Sequence, residues 1–255
     1  VRRYGTQRLG AHLDIPDSAL DSFKKAVWRV IEGNPEALAP HLLSHANALK
    51  RIKARDLECR TVIDVGASDG CWSLMARQVW PEARFHLIEA FDHWKPDLER
   101  LRDGEPSFSF SLAAAGVEDG ETVFTNSPDA PFGGTIRPEA DDPQWTVPQV
   151  SIDREVGRLG LVGPFAIKLD THGAEREILA GAAETLKQAS LLVIEMYNFG
   201  DPTRRFPQMC QHVEALGFHC IDMAEPLFRD HDRAFWQVDF FFVPQDRPEA
   251  RHTRW

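Results

Sequence analysis

The stretch Thr61-Val62-Ile63-Asp64-Val65-Gly66-Ala67-Ser68-Asp69-Gly70, answered by Phe85-His86-Leu87-Ile88-Glu89, most constrains what this chain can fold into. Val62 to Val65 is a short apolar run suited to a buried strand, Gly66 and Gly70 permit a tight turn, and Cys71 to Trp80 carries apolar residues at helical intervals. Phe85 to Ile88 is a second apolar run. Strand, tight loop, helix and strand make one βαβ unit. Asp64 and Glu89 lie at the ends of the two strands, about 25 residues apart. In such a unit the second carboxylate commonly holds ribose hydroxyls while the first loop faces the rest of a nucleoside cofactor.

The loop narrows the choice of cofactor. It lacks the G-x-G-x-x-G series that brings backbone N–H groups onto a pyrophosphate, and Asp64 and Asp69 would repel a diphosphate. S-adenosylmethionine, with a sulfonium and a zwitterionic head group, fits better. Its methionine portion is expected on Asp64, Gly66, Ser68, Asp69 and Gly70 and its ribose on Glu89. Its adenine is expected near Ser111 and Ala113, where the strand Ser107 to Leu112 runs into the small residues Ala113-Ala114-Ala115-Gly116. Two other readings compete. Gly66-Ala67-Ser68-Asp69-Gly70 matches the G-x-S-x-G elbow of α/β-hydrolases, with Ser68 as nucleophile, although the preceding stretch reads as helix and has no H-G-G-G-type oxyanion segment. A non-catalytic nucleotide-binding or scaffold domain is the other, since a fold does not imply a function.

The 255 residues suffice for one large α/β domain with a helical extension. Residues 1–58 are expected to form that extension, with helices over Ser18 to Glu32 and Pro35 to Ile52 that pack on the sheet edge, cap a substrate or join two copies into a homo-oligomer. Residues 59–255 are expected to form the catalytic domain. Acidic residues outnumber basic ones 39 to 29, giving a net charge of −10 that disfavours nucleic acid as partner. Cys59, Cys71, Cys210 and Cys220 form no C-x-x-C or zinc-ligand spacing, which suits reduced thiols in a cytoplasm. No apolar run reaches the length of a membrane span and no leader pattern opens the chain, although it begins at Val1 rather than Met.

Downstream, helices are expected over His93 to Arg102, Ile152 to Leu159, Ala174 to Gln188 and Phe206 to Leu216. Strands are expected at Glu121 to Thr125, Phe165 to Leu169, Leu191 to Ile194, Phe218 to Ile221 and Val238 to Val243. Asn126 to Gln149, rich in proline and glycine, reads as a lid or substrate loop, with a disordered segment as the competing reading. Alternating strands and helices predict a doubly wound, mostly parallel α/β sheet. Ligands of such sheets sit beyond the carboxyl ends of the strands, which singles out Asp170, His172 and Glu195. Alternation along the strand puts Lys168 on the same face as Asp170, as a catalytic neighbour or a structural ion pair. Tyr197, Trp236 and Trp145 are candidate stacking faces, and His231 and Asp232 lie in a charged run.

Asp64-Val65-Gly66-Ala67-Ser68-Asp69-Gly70, taken with Lys168-Leu169-Asp170-Thr171-His172-Gly173-Ala174-Glu175 and Leu179-Ala180-Gly181-Ala182, resembles the FkbM family of S-adenosylmethionine-dependent methyltransferases over about Val62 to Val243. The resemblance implies a class I methyltransferase (Rossmann-like) fold with a final antiparallel strand. It also implies methyl transfer to a hydroxyl, often on a sugar or polyketide-type natural product. Ser68 stands where the family usually has asparagine, and Thr171-His172 where it has valine and glutamate. Transfer to an alcohol needs the hydroxyl held in line and its proton removed. His172 is therefore expected as general base, with Asp170 either orienting it or, together with Glu195, binding a divalent cation such as magnesium. The competing reading makes His172 and Gly173 a helix entry.

Overall fold

The computed structural model describes residues 43–127, 130–136 and 144–251. The helix expected over Ser18 to Glu32, the first part of that over Pro35 to Ile52, and the oligomer contact expected of them lie outside the described residues.

The first described helix, α1 (His45–Lys53), starts where the Ser44 hydroxyl accepts the Asn47 N–H, and it ends on the basic residues Lys50, Arg51 and Lys53, which favour the negative end of the helix dipole. It is followed by β1 (Thr61–Val65), α2 (Cys71–Arg77), β2 (Arg84–Glu89), α3 (Lys95–Gly104) and β3 (Phe108–Leu112). Next come β4 (Ala114–Ala115), β5 (Gly120–Ser127), β6 (Ala130–Thr135), β7 (Gln144–Val150) and α4 (Ile152–Leu159). The chain continues through β8 (Phe165–Leu169), α5 (Glu175–Ala180), α6 (Ala183–Leu186), β9 (Ala189–Tyr197), α7 (Phe206–Ala215), β10 (Phe218–Phe228), β11 (Phe235–Pro244) and α8 (Pro248–Arg251).

Seven strands form the main sheet in the order β10-β11-β9-β8-β1-β2-β3. Strands β3, β2, β1, β8 and β9 run parallel, and β11 enters antiparallel to both β9 and β10. Renumbered by chain order within this sheet, the sequence is 3-2-1-4-5-7-6, the arrangement of class I methyltransferases. Its inner strands are buried almost throughout because successive side chains point to opposite faces and both faces are covered. Ile63, Val65, Ile167 and Ile194 pack with Ile178, Met209 and Val213 on one face. Val62, Phe85, Ala166 and Val193 pack with Leu49, Ile52, Trp72 and Ala76 on the other. Helix α1 thus contributes to the core, and Arg51 locks it to β10 through a two-pronged bond to Asp222 at 2.7 and 2.9 Å.

Three expectations are corrected. The stretch read as a lid loop is largely β-structure, in a second sheet of order β4-β7-β5-β6. Its strands escaped notice because β7 is exposed at Gln144, Trp145 and Thr146 and carries Pro148, so apolar alternation is faint. The helix expected over Ala174 to Gln188 is two short helices, broken where Gly181 passes so close to the Gly116 carbonyl oxygen that a Cβ would stand 2.1 Å from it. The last two strands are longer than their apolar runs, because β10 and β11 pair through register shifts across most of their lengths.

Candidate active site

The carboxyl ends of β1 and β8 meet at Gly66. The Asp170 N–H donates to the Val65 carbonyl at 3.0 Å, and a Cβ on Gly66, whose φ is +73°, would fall 1.9 Å from the Asp170 carbonyl oxygen. Only glycine lets the loop turn here. The loop then lays its backbone on Glu89: the Ser68 N–H donates to one carboxylate oxygen at 2.8 Å and the Phe91 N–H to the other at 2.7 Å. Burial raises the Glu89 pKa and these two N–H donors oppose it. Each oxygen keeps a lone pair for a ligand hydroxyl.

A cavity opens beside this loop, walled by Gly66, Ser68, Glu89, Phe124, Asp170 and His172 and floored by Ala113, Ala114 and Ala115. The Ser68 hydroxyl is buried without a hydrogen-bond partner among the described residues. Among the described residues no histidine is bonded to it, so the nucleophile elbow has no base there. Among the residues expected at the cofactor, Gly66, Ser68, Glu89 and Ala113 line this cavity, and four others do not. Asp64 is fully buried and accepts the Ser73 hydroxyl at 2.7 Å; burial raises its pKa while Lys168 and Ser73 pull it down. Asp69 accepts the Cys71 N–H at the start of α2, and Gly70 packs against Leu101 and Leu87. Ser111 joins a network elsewhere, donating to Glu155 at 2.8 Å beside His86.

The second centre collects side chains from β8, the loop after it, β9 and β11, and a backbone carbonyl from β6. The Lys168 ammonium lies 3.0 Å from Asp170 Oδ2 and 3.6 Å from Asp64 Oδ1. His172, in the left-handed region at φ 56°, sets Nδ1 2.8 Å from the Gly134 carbonyl. A carbonyl only accepts, so Nδ1 carries the hydrogen and a neutral ring has its lone pair on Nε2. Nε2 lies 3.5 Å from both Asp170 Oδ1 and Glu195 Oε2. Glu195 also accepts the Tyr197 hydroxyl and the Gln237 amide. Burial and the neighbouring Asp170 push the Glu195 carboxyl up to about 9. Burial acts the same way on Asp170, but Lys168 and His172 outweigh it and hold Asp170 below the usual carboxylate range. At neutral pH the pair therefore carries one proton, on Glu195.

Asp170 and His172 also line a second hollow with Glu195, Tyr197, Phe199 and Trp236. Phe199 stacks on Trp236 with centroids 5.4 Å apart, and Tyr197 meets Trp236 edge-on at 5.9 Å. The acid-base cluster therefore stands where two cavities join. Trp145 meets Phe91, their rings 6.2 Å apart, while His231 and Asp232 sit on the exposed turn between β10 and β11. Phe124, Gly134, Phe199 and Gln237 are site residues that the sequence reading passed over. The Gly133-Gly134 pair was the one local signal for a close approach.

No curated protein matches the chain. Solved structures with a similar course include the 1,6-didemethyltoxoflavin-N1-methyltransferase of Burkholderia thailandensis, solved with S-adenosylhomocysteine (11% identity, 93% of this chain and 94% of that one, TM-score 0.43). Others are an O-methyltransferase family protein of the same organism (12% identity, 90% and 60% coverage, TM-score 0.44) and a precorrin-6y C5,15-methyltransferase from Geobacter metallireducens (13% identity, 77% and 86% coverage, TM-score 0.43). These likenesses are too distant to carry a residue's role across. The methyltransferase FkbM domain, by contrast, matches residues 64–220, from the Asp64 of β1 to the start of β10, and so includes Glu89, Asp170, His172 and Glu195. With that match over more than half of its length, the chain belongs to the FkbM methyltransferase family.

Proposed function

We propose that this protein transfers a methyl group from S-adenosylmethionine to a hydroxyl of a carbohydrate or related natural-product metabolite. The observation that carries the reading is the His172 lone pair, held by the Gly134 carbonyl at the junction of two cavities. The first cavity suits the cofactor. Glu89 offers acceptors for ribose hydroxyls, the unpartnered Ser68 hydroxyl suits the head group, and the alanine floor suits adenine. When bound there, S-adenosylmethionine supplies an electrophilic methyl on a sulfonium, and Asp170 lends that charge a nearby carboxylate.

The second cavity suits the acceptor. Its aromatic faces, Trp236 above all, match the C–H faces of a sugar ring. In that transfer the C–O bond would form as the methyl–sulfur bond breaks and S-adenosylhomocysteine leaves; His172 Nε2 takes the hydroxyl proton, Asp170 stabilises the resulting imidazolium, and Lys168 keeps Asp170 ionised. A second reading rests on the same atoms: Asp170 Oδ1, His172 Nε2 and Glu195 Oε2 lie within 4.8 Å of one another, a donor set that would hold a divalent cation in place of the Glu195 proton. Such a cation would acidify the hydroxyl directly and make His172 a ligand. The four unpaired thiols suit a reducing compartment.

Calorimetric titration with S-adenosylmethionine and S-adenosylhomocysteine, followed by methyl transfer to a glycoside panel with and without chelator, tests these readings. Binding of both nucleosides, with transfer that chelation leaves intact, is the outcome expected of a histidine base. Loss of transfer on chelation, restored by magnesium or manganese, would move the assignment to the metal. Absence of nucleoside binding would end the proposal.

A further inference from the structure

Lys168 is buried, its side chain 5% exposed, yet its three N–H donors meet one acceptor within hydrogen-bond distance, Asp170 Oδ2 at 3.0 Å. Three polar atoms on the sheet face that carries this ammonium are each buried and without a hydrogen-bond partner among the described residues: Asp64 Oδ1, Trp72 Nε1 and Asp239 Oδ1. Asp64 Oδ1 stands 3.6 Å from Lys168 Nζ, and the ammonium lies over the Trp72 ring, 5.7 Å from its centroid. Asp239 pairs directly with Glu195 across β9 and β11, and β8 pairs with β9, so its side chain shares a sheet face with Lys168 and its charge acts on that ammonium. Buried polar atoms left without partners in a native fold usually meet ordered water.

The set is complementary. Lys168 and the indole N–H only donate, and the two carboxylate oxygens only accept. A metal cation would face an ammonium and an N–H, and an anion would face two carboxylates. Water alone takes two hydrogen bonds and gives two.

We propose that one ordered water binds between Lys168, Trp72, Asp64 and Asp239, accepting from the first two and donating to the last two, and that it positions the Lys168 ammonium on Asp170. The binding half stands on the geometry alone, and the positioning half rests on the methyl-transfer reading above. Asp239 Oδ2 continues outward, 3.4 Å from Nε2 of His45 at the start of α1, so α1 braces the far side of the water site.

The 255-residue chain with 15N-labelled tryptophan tests it. A water cross-peak on the Trp72 indole N–H, identified by its loss in Trp72→Phe, is expected in both NOE and ROE spectra with the opposite signs of a long-lived water. Asp239→Leu is expected to remove the peak while the rest of the spectrum keeps its folded dispersion. A missing peak, or one that survives Asp239→Leu, overturns the water site. Trp72→Phe keeps an aromatic ring but loses the N–H donor together with the five-membered ring, and its kcat is expected to fall about tenfold with acceptor KM and S-adenosylhomocysteine affinity unchanged. An unchanged kcat with the peak gone overturns the positioning role and leaves the cofactor assignment untouched. Failure of the cofactor to bind wild type is the separate sign that the methyl-transfer reading is wrong.

Discussion

The two halves of the site are held by different physics. At the cofactor loop the ligand-facing groups are fixed by backbone: two N–H groups clamp Glu89, and Gly66 allows the chain to touch Asp170. At the cluster proposed for the acceptor they are fixed by charge: Lys168, Asp170 and His172 from β8 and the loop after it crowd against Glu195 of β9 and share protons. A backbone clamp tolerates changes in its surroundings but no change in chain path. A charge cluster tolerates small shifts of the chain but no change in any member. Mutations on the two sides should therefore fail differently, in affinity on the first and in turnover on the second.

The sharpest test of that contrast is His172→Ala. A base removed from the charge cluster should lower kcat by about a thousandfold. S-adenosylhomocysteine affinity should stay within about twofold, because the loop that holds the nucleoside is untouched. Full turnover with normal binding would break the assignment. On the other side, Glu89→Ala should leave the Ser68 and Phe91 N–H groups without their acceptor and strip the ribose contact. S-adenosylhomocysteine should then bind about 10- to 100-fold more weakly by calorimetry, with kcat at saturation little changed. Equal losses in kcat and affinity for both variants would erase the distinction.

Gly66→Ala comes next, because it strikes the hinge between the halves. A Cβ 1.9 Å from a backbone oxygen, at positive φ, forces the β1 loop away from β8. We expect a loss of about 2–3 kcal/mol in urea unfolding, with cofactor affinity and turnover falling together. Preserved stability would mean that the ends of β1 and β8 are looser than their geometry.

The same contrast explains what could be read from the chain. The first loop is contiguous, so its strand, glycines and answering carboxylate were legible, as were the parallel strands with their unbroken apolar runs. Within that loop, residue type did not separate lining from scaffolding: Asp64 and Asp69 carry charge as Glu89 does, yet one is buried under Ser73 and the other accepts the first N–H of α2. The acceptor side is assembled over long separations. Nothing near His172 says that the Gly134 carbonyl fixes its tautomer or that Gln237 reaches Glu195. Ser111 was misleading for a related reason. Its strand end faces the right way, but its hydroxyl is claimed by Glu155 from α4.

That Glu155 cluster gives the smallest effect, and a control outside both halves. Glu155 accepts from His86 at 2.9 Å, Ser111 at 2.8 Å and Arg158 at 2.7 Å, tying β2 and β3 to α4. Burial would raise its pKa, but these donors prevail and bring it down to about 2. A carboxylate whose folded value lies below its unfolded one adds stability that is complete above about pH 5 and is lost as the pH falls towards 2. The melting temperature should therefore drop between those limits, and Glu155→Gln should flatten that part of the profile while lowering the plateau by a few degrees. Glu195 works in the opposite direction: its folded value near 9 lies above the unfolded one, so its contribution is lost as the pH rises from about 4 to 9. A Glu195→Gln variant should hold its melting temperature better than wild type at pH 9. An acid limb that survives Glu155→Gln would place the titrating group elsewhere, and an alkaline limb unchanged by Glu195→Gln would mean that the acceptor-side cluster does not carry its proton on Glu195.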